Sequence, residues 1–336
     1  MLAATAAACS SGADGEVSVR WVHLNPVAAP PPRIGAVSAY DSGSGVLNVL
    51  GGANKLPFGD HWGWTGRTWV QYASPPIQAQ RTEDSVAFDV ANRTLVLYGG
   101  VPNAVGRQPP PSLQAAQAPY KGTWVWNGND WASSSAGAQP SPRWGAALAY
   151  DGSTRQCLLF GGKDTIDQHI PRATWVWTGS AWVEAHAATN PPPRIDASMA
   201  YDPVTKTVLL FGGRSAETGN LLHDTWSWNG SEWSLVANEA PGPSPRAEFA
   251  MAYDPALGGI VLIGGQGGKD TETLSDVWLW TGGRWEKVAI VGTQVARAGA
   301  AAAYVPSSQG IVLFGGYGPH SGPQRATNST WVLRRS

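Results

Sequence analysis

Three Arg-x-acid pairs have the residue types and spacing for proton chemistry: Arg81 with Glu83, Arg194 with Asp196, and Arg246 with Glu248. A carboxyl held near a guanidinium can serve as a general acid or base, and the same groups can orient sugar hydroxyls. The opposing expectation is a set of structural ion pairs tied up within the fold. Trp144, directly after Arg143, offers a flat face on which a sugar ring can stack. The candidate catalytic carboxyls are therefore Glu83, Asp196 and Glu248. The candidate ligand-binding set is Trp144, Arg81, Arg143, Arg194, Arg246, Glu83 and Glu248. Asp84 adjoins Glu83, and strand alternation predicts that it points to the opposite side.

The elements that position these residues repeat. Each arginine opens a strand: "RIGAVSAYD" from Arg33, "RTEDSVAFD" from Arg81, "RWGAALAYD" from Arg143, "RIDASMAYD" from Arg194, "RAEFAMAYD" from Arg246, and "RAGAAAAYV" from Arg297, where Val305 replaces the Asp. An apolar strand follows, ending in a glycine pair at Gly52, Gly100, Gly162, Gly213, Gly265 and Gly316. Next comes a tryptophan hairpin, as in "HDTWSWNGSEWSLV", where alternation puts Trp226 and Trp228 on one face and the turn sets Trp228 opposite Trp233. The period is about fifty residues with four short strands per unit, the signature of a β-propeller. Two residues after each arginine stand Gly35, Glu83, Gly145, Asp196, Glu248 and Gly299, three carboxylates and three gaps. Of the 18 tryptophans, only Trp144 lies outside the repeat positions.

The Arg strand, glycine-pair strand and tryptophan hairpin resemble the kelch repeat, in the bacterial variant related to the galactose oxidase propeller. The resemblance covers Glu16 to Ser336 and implies an all-β, six-bladed propeller with four antiparallel strands per blade. The N-terminal strand "EVSVRWVHL" completes the C-terminal blade, which stops after "STWVLRRS". It also implies that the arginine strands are innermost, so Arg33, Arg81, Arg143, Arg194, Arg246 and Arg297 surround the channel mouth. They are either an anion-collecting ring or ties to neighbouring carbonyls and carboxylates. A copper radical oxidase needs a cross-linked Cys–Tyr pair that is not evident here. A cofactor-independent sugar mutarotase or epimerase, known among such propellers, would use Arg and Glu/Asp at the mouth. The main expectation is a non-catalytic binding or scaffold propeller for a protein or glycan on the loop face. It is expected to be monomeric, with no cofactor and no metal ion.

Composition narrows the partners. A net charge of −1 and the absence of a basic run exclude a nucleic-acid footprint. Of two cysteines, Cys157 reads as a buried thiol in a strand, while Cys9 follows a small-residue apolar run and precedes a Ser/Gly linker. Residues 1–15 thus resemble the end of a lipoprotein signal with Cys9 as the lipid-bearing residue, or a plain leader. The first alternative puts the propeller, residues 16–336, outside the cytoplasm as a secreted or membrane-anchored bacterial lipoprotein. The loop Val101–Thr123, 23 residues with three consecutive prolines, is either a lid over the mouth or a neutral insertion. His61, His169, His186, His223 and His320 read as scattered loop residues, and the acidic "KDTETLSD" lacks an established calcium pattern.

Overall fold

Short β-branched and aromatic runs punctuated by glycine and proline form sheets of four antiparallel strands in a computed structural model. It describes residues 17–74, 81–101, 122–134, 137–238, 240–268, 272–319 and 325–336. Among these, the one helical turn is the 3-10 segment Pro306–Ser308. The first sheet holds Ile34–Asp41, Val46–Asn54, His61–Trp64 and Trp69–Tyr72; the second holds Thr82–Asp89, Thr94–Val101, Thr123–Trp126 and Trp131–Ser134. The third runs from Arg143–Asp151 to Trp182–Ala185, the fourth from Ser198–Asp202 to Trp233–Ala237, and the fifth from Ala250–Asp254 to Arg284–Val291. Ser18–Leu24 joins the fifth group to the last, Thr330–Arg335, Gly310–Tyr317 and Ala298–Val305, in one eight-stranded sheet, where it lies between Arg284–Val291 and Thr330–Arg335.

The two chain ends therefore share a sheet. Ser18–Leu24 pairs antiparallel with Thr330–Arg335, setting His23 opposite Trp331 and Trp21 opposite Leu333. The same strand pairs in parallel with Arg284–Val291, so its outer edge is covered rather than exposed.

First strands of successive sheets lie against one another: Ile34–Asp41 against Thr82–Asp89, then Arg143–Asp151, Ser198–Asp202, Ala250–Asp254 and Ala298–Val305, which returns to Ile34–Asp41. The second strands sit between neighbouring sheets and are buried on both faces. Gly310–Tyr317 accordingly reads as an unbroken apolar run rather than an alternating one, and Val46–Ala53 is buried throughout with Asn48 its one polar side chain.

The tryptophans fill the seams. Trp228 pairs with Trp233 across the hairpin at 5.4 Å between ring centroids, and Trp64–Trp69, Trp126–Trp131, Trp177–Trp182 and Trp280–Trp285 repeat that contact. The indole N–H of the fourth-strand tryptophan then reaches back to a threonine in the preceding sheet: Trp182 to Thr123, Trp233 to Thr174, Trp285 to Thr225, and Trp69 to Thr330. Two seams lack the threonine. His61 replaces it before Trp131 and Val277 replaces it before Trp21, and neither indole N–H finds an acceptor among the described residues.

At the opposite end from the glycine pairs, the Asp ending each first strand accepts backbone N–H groups of the turn it opens, as Asp151 does from Ser153 at 2.8 Å. Val305 cannot accept them. There Pro306–Ser308 closes the turn as a 3-10 helix, with Gln309 in the left-handed region at φ 53°.

Candidate binding site in the channel

The six arginines are scaffold. Arg33, Arg81, Arg143, Arg194 and Arg246 are buried, and each Nη1 donates to the carbonyl of the first glycine of its own pair, at 2.8 to 3.2 Å. Three also hold a carboxylate bidentately: Arg33 with Asp60, Arg194 with Asp224 and Arg246 with Asp276. The second oxygen of each Asp accepts the indole N–H of Trp62, Trp226 or Trp278 at 2.7 Å. Burial alone would raise Asp224 and Asp276, but the arginine bond and charge hold both below the usual carboxylate range. Where the sequence has Ser329 instead, Arg297 donates to its hydroxyl. Of the sequence alternatives, the tie to carbonyls describes Arg81, Arg143, Arg194 and Arg246, whose guanidiniums are committed to the fold. The carboxylate partners of Arg194 and Arg246 are two residues before the first tryptophan, not two residues after the arginine.

Glu83, Asp196 and Glu248 are thereby left for the channel. At this position all six residues have left-handed backbone, from φ 55° at Glu248 to 66° at Gly145, which bends the innermost strand away from simple pleating. Backbone bonds link the kinks of neighbouring sheets: Asp196 N to Gly145 O, Glu248 N to Asp196 O, and Gly299 N to Glu248 O. The carboxylates lean into the glycine gaps. A Cβ on Gly145 would stand 2.7 Å from Asp196 Oδ1, and one on Gly299 would stand 3.5 Å from Glu248 Oε2.

A cavity of about 170 Å³ is lined by Glu83, Asp84, Asp196 and Glu248 together with the glycine positions. Asp84 follows the left-handed kink at Glu83 and lines the cavity as a residue, but both its carboxylate oxygens are buried, 3.5 Å from where a Cβ on Gly51 would stand, so the carboxyl does not open into the cavity. Burial, then the charges of Glu248 and Asp84, push the Glu83 carboxyl up to about 7. Burial lifts Asp84 to about 6 against the pull of Arg81. Asp196 is raised well above the carboxylate range by burial and by Glu83 and Glu248. Burial also raises Glu248, against the Tyr317 hydroxyl that donates to it at 3.0 Å and the Arg214 charge. All four hold their protons more tightly than free carboxyls, and Glu83, Asp196 and Glu248 are linked through one another's charges.

Arg214 and Tyr317 were not singled out in the sequence. Each follows a glycine pair directly, where the blades read Ala53, Val101, Lys163, Arg214, Gln266 and Tyr317. That blade-to-blade variation was the available signal. Arg214 also donates to Gln266 Oε1 at 3.2 Å.

Trp144 stands elsewhere. It is half-buried and pairs with Lys163, so it belongs to the rim near the third glycine pair and does not line the cavity with Glu83 and Glu248. His61 is not a loop residue but a fully buried strand residue whose Nε2 meets Asn48 Oδ1 at 2.8 Å; burial lowers it to about 4. His169 contacts Asp167, and with Asp164 the two form a cluster whose ligating atoms lie within 4.8 Å, on exposed loop surface apart from Asp164. Cys157 is buried in its strand as expected. Cys9, His320 and the loop interior 102–121 lie outside the described residues.

Antiparallel sheets of this repeat, kinked around an acidic channel, define a kelch-type β-propeller. The sequence matches the KLHDC2/KLHL20/DRC7 Kelch-repeats domain family over residues 153–335, more than half of the chain, and the chain belongs to that family. It is 28% identical over 125 residues to dynein regulatory complex subunit 7 of Chlamydomonas reinhardtii, a match spanning 36% of this chain and 9% of that protein. It is 27% identical over 166 residues to the dynein alpha chain of the flagellar outer arm from the same organism, spanning 45% of this chain and 4% of that one.

Proposed function

We propose that the protein is a closed six-bladed propeller acting as a non-catalytic scaffold that holds a protein partner on the face carrying the glycine-pair loops. Closure is supported by the seam between last and first sheets: Gly316 N donates to Arg33 O at 2.8 Å, as Gly213 does to Arg246 and Gly265 to Arg297. The observation that carries the function is a division of labour. Residues common to the repeats are consumed internally, whereas blade-specific side chains, Trp144, Lys163 and Arg214 among them, gather on one face. A module matching small parts of two much larger chains suits a docking role.

The extracytoplasmic reading rests on the Cys9 leader alone, and a diacylglyceryl adduct on Cys9, sought by mass spectrometry of the native membrane fraction, tests it. For the binding face, Trp144→Ala and Arg214→Ala are compared with Lys206→Ala, in the turn joining two strands at the opposite end. Loss of partner binding in the first two and retention in the third supports the scaffold. Equal binding by all three refutes the face. A glycan array is run in parallel; saturable sugar binding lost with Glu83→Gln would replace the scaffold by the sugar-site alternative.

A further inference from the structure

In three of the repeats one carboxylate answers two donors. Asp60, Asp224 and Asp276 each take both Nη atoms of an arginine, Arg33, Arg194 or Arg246, and the indole N–H of the tryptophan two residues on. These aspartate side chains are 16%, 11% and 21% exposed, so the position they occupy is reached from solvent. The last repeat keeps both donor types, as Arg297 and Trp331, and lacks the acid. Ser329 stands in its place.

Both donors are left short there. The Nε of Arg33, Arg194 and Arg246 donates to the carbonyl two residues earlier, whereas Arg297 Nε is buried with no acceptor among the described residues. Arg297 Nη1 turns to the adjoining Ala296 carbonyl at 2.9 Å rather than to a glycine-pair carbonyl, and Nη2 reaches only the Ser329 hydroxyl, at 3.2 Å. Burial lowers this guanidinium, with no carboxylate charge offsetting it. Trp331 Nε1 is likewise buried with no acceptor among the described residues, its ring held against His23 at 4.5 Å between centroids. A desolvated cation without a counter-ion and a buried N–H without an acceptor each carry a cost that an arriving carboxylate relieves.

We propose that the last repeat binds an external carboxylate where the first, fourth and fifth supply one from within, the Arg297 guanidinium taking it as a fork and the Trp331 indole N–H completing the clasp. Its source is either a free small acid or an acidic side chain of a partner, and the chemistry is the same for both. The anion-collecting alternative for the six arginines thereby applies to Arg297 alone. The site stands whether or not a protein partner is held on the loop face.

The test is unfolding of the full chain at about pH 7 in rising sodium formate, with sodium chloride of equal ionic strength as the reference. Formate should stabilise the wild type saturably beyond chloride, and at ten times its dissociation constant the folding equilibrium should shift about tenfold toward the native state. Ser329→Asp should be more stable than the wild type without formate, because it supplies the missing acid, and should lose the formate response. If that variant does not fold, Arg297→Gln carries the same loss of response. No saturable effect beyond chloride, a full response in Ser329→Asp, or an undiminished response in Arg297→Gln overturns the proposal. A capped glutamate, N-acetylglutamate methylamide, separates the sources. Saturation by it as well as by formate assigns the site to a partner's side chain, and saturation by formate alone assigns it to a free small acid.

Discussion

Replacing Glu83 by Gln should make the protein more stable in mild alkali and leave it unchanged in acid. The carboxyl stands at about 7 in the fold against 4.5 when free, because it is buried beside Glu248 and Asp84. Between those values the folded chain retains a proton that the unfolded chain has released. Stability from this source is therefore fully present below about pH 4.5 and is lost as the pH rises through about 7. At about 1.4 kcal/mol per pH unit, the loss is about 3 kcal/mol for Glu83 alone. Gln keeps the shape and cannot ionise, so the variant should overtake the wild type by about 3 kcal/mol at pH 8 and match it near pH 4.5. Urea unfolding followed by tryptophan fluorescence, repeated from pH 4.5 to 8 in EDTA, measures the gap directly. Parallel stability curves for the two proteins, with a constant gap at every pH, would refute the coupling of Glu83 to its acidic neighbours.

His61→Thr should restore the missing seam acceptor for Trp131 Nε1, stabilising the fold by about 1 kcal/mol in urea unfolding. It should also remove an acid-side loss, since His61 stands at about 4 and the unfolded chain takes up its proton first as the pH falls below 6.5. Asp224→Asn should cost about 3–5 kcal/mol by stranding the buried Arg194 guanidinium, read from the shift in urea midpoint. Gly145→Ala should destabilise by more than about 1 kcal/mol, because φ is +66° and the new methyl meets Asp196 Oδ1, and thermal melting should show it.

Much of this architecture was legible because it is written repeatedly. The tryptophan hairpin needs its apolar face covered wherever it occurs, and Trp228 does pair with Trp233 as the turn dictates. The terminal strand was legible too: Trp21 matched a fourth-strand tryptophan, and Ser18–Leu24 takes that place beside Thr330–Arg335. The candidate site was legible by position but not by partner. Glu83, Asp196 and Glu248 were picked out against the glycines of the other repeats, yet they were assigned to arginines on the same strand. In the fold Arg194 and Arg246 reach across to Asp224 and Asp276 instead, as Arg33 does to Asp60, and the Asp-x-Trp spacing carries the information. The backbone kink at these positions was missed for a related reason. Alternation holds only along pleated backbone, and glycine at three of the six equivalent positions already signals a left-handed kink there. Glu83 and Asp84 adjoin at that kink, where the charge of Asp84 adds to the burial that makes ionising Glu83 costly. A scaffold under no other demand would relieve that cost with glycine and alanine, as the first, third and last repeats do at Gly35-Ala36, Gly145-Ala146 and Gly299-Ala300. Glu83, Asp196 and Glu248 are thus what sets three of the kinks apart from the other three.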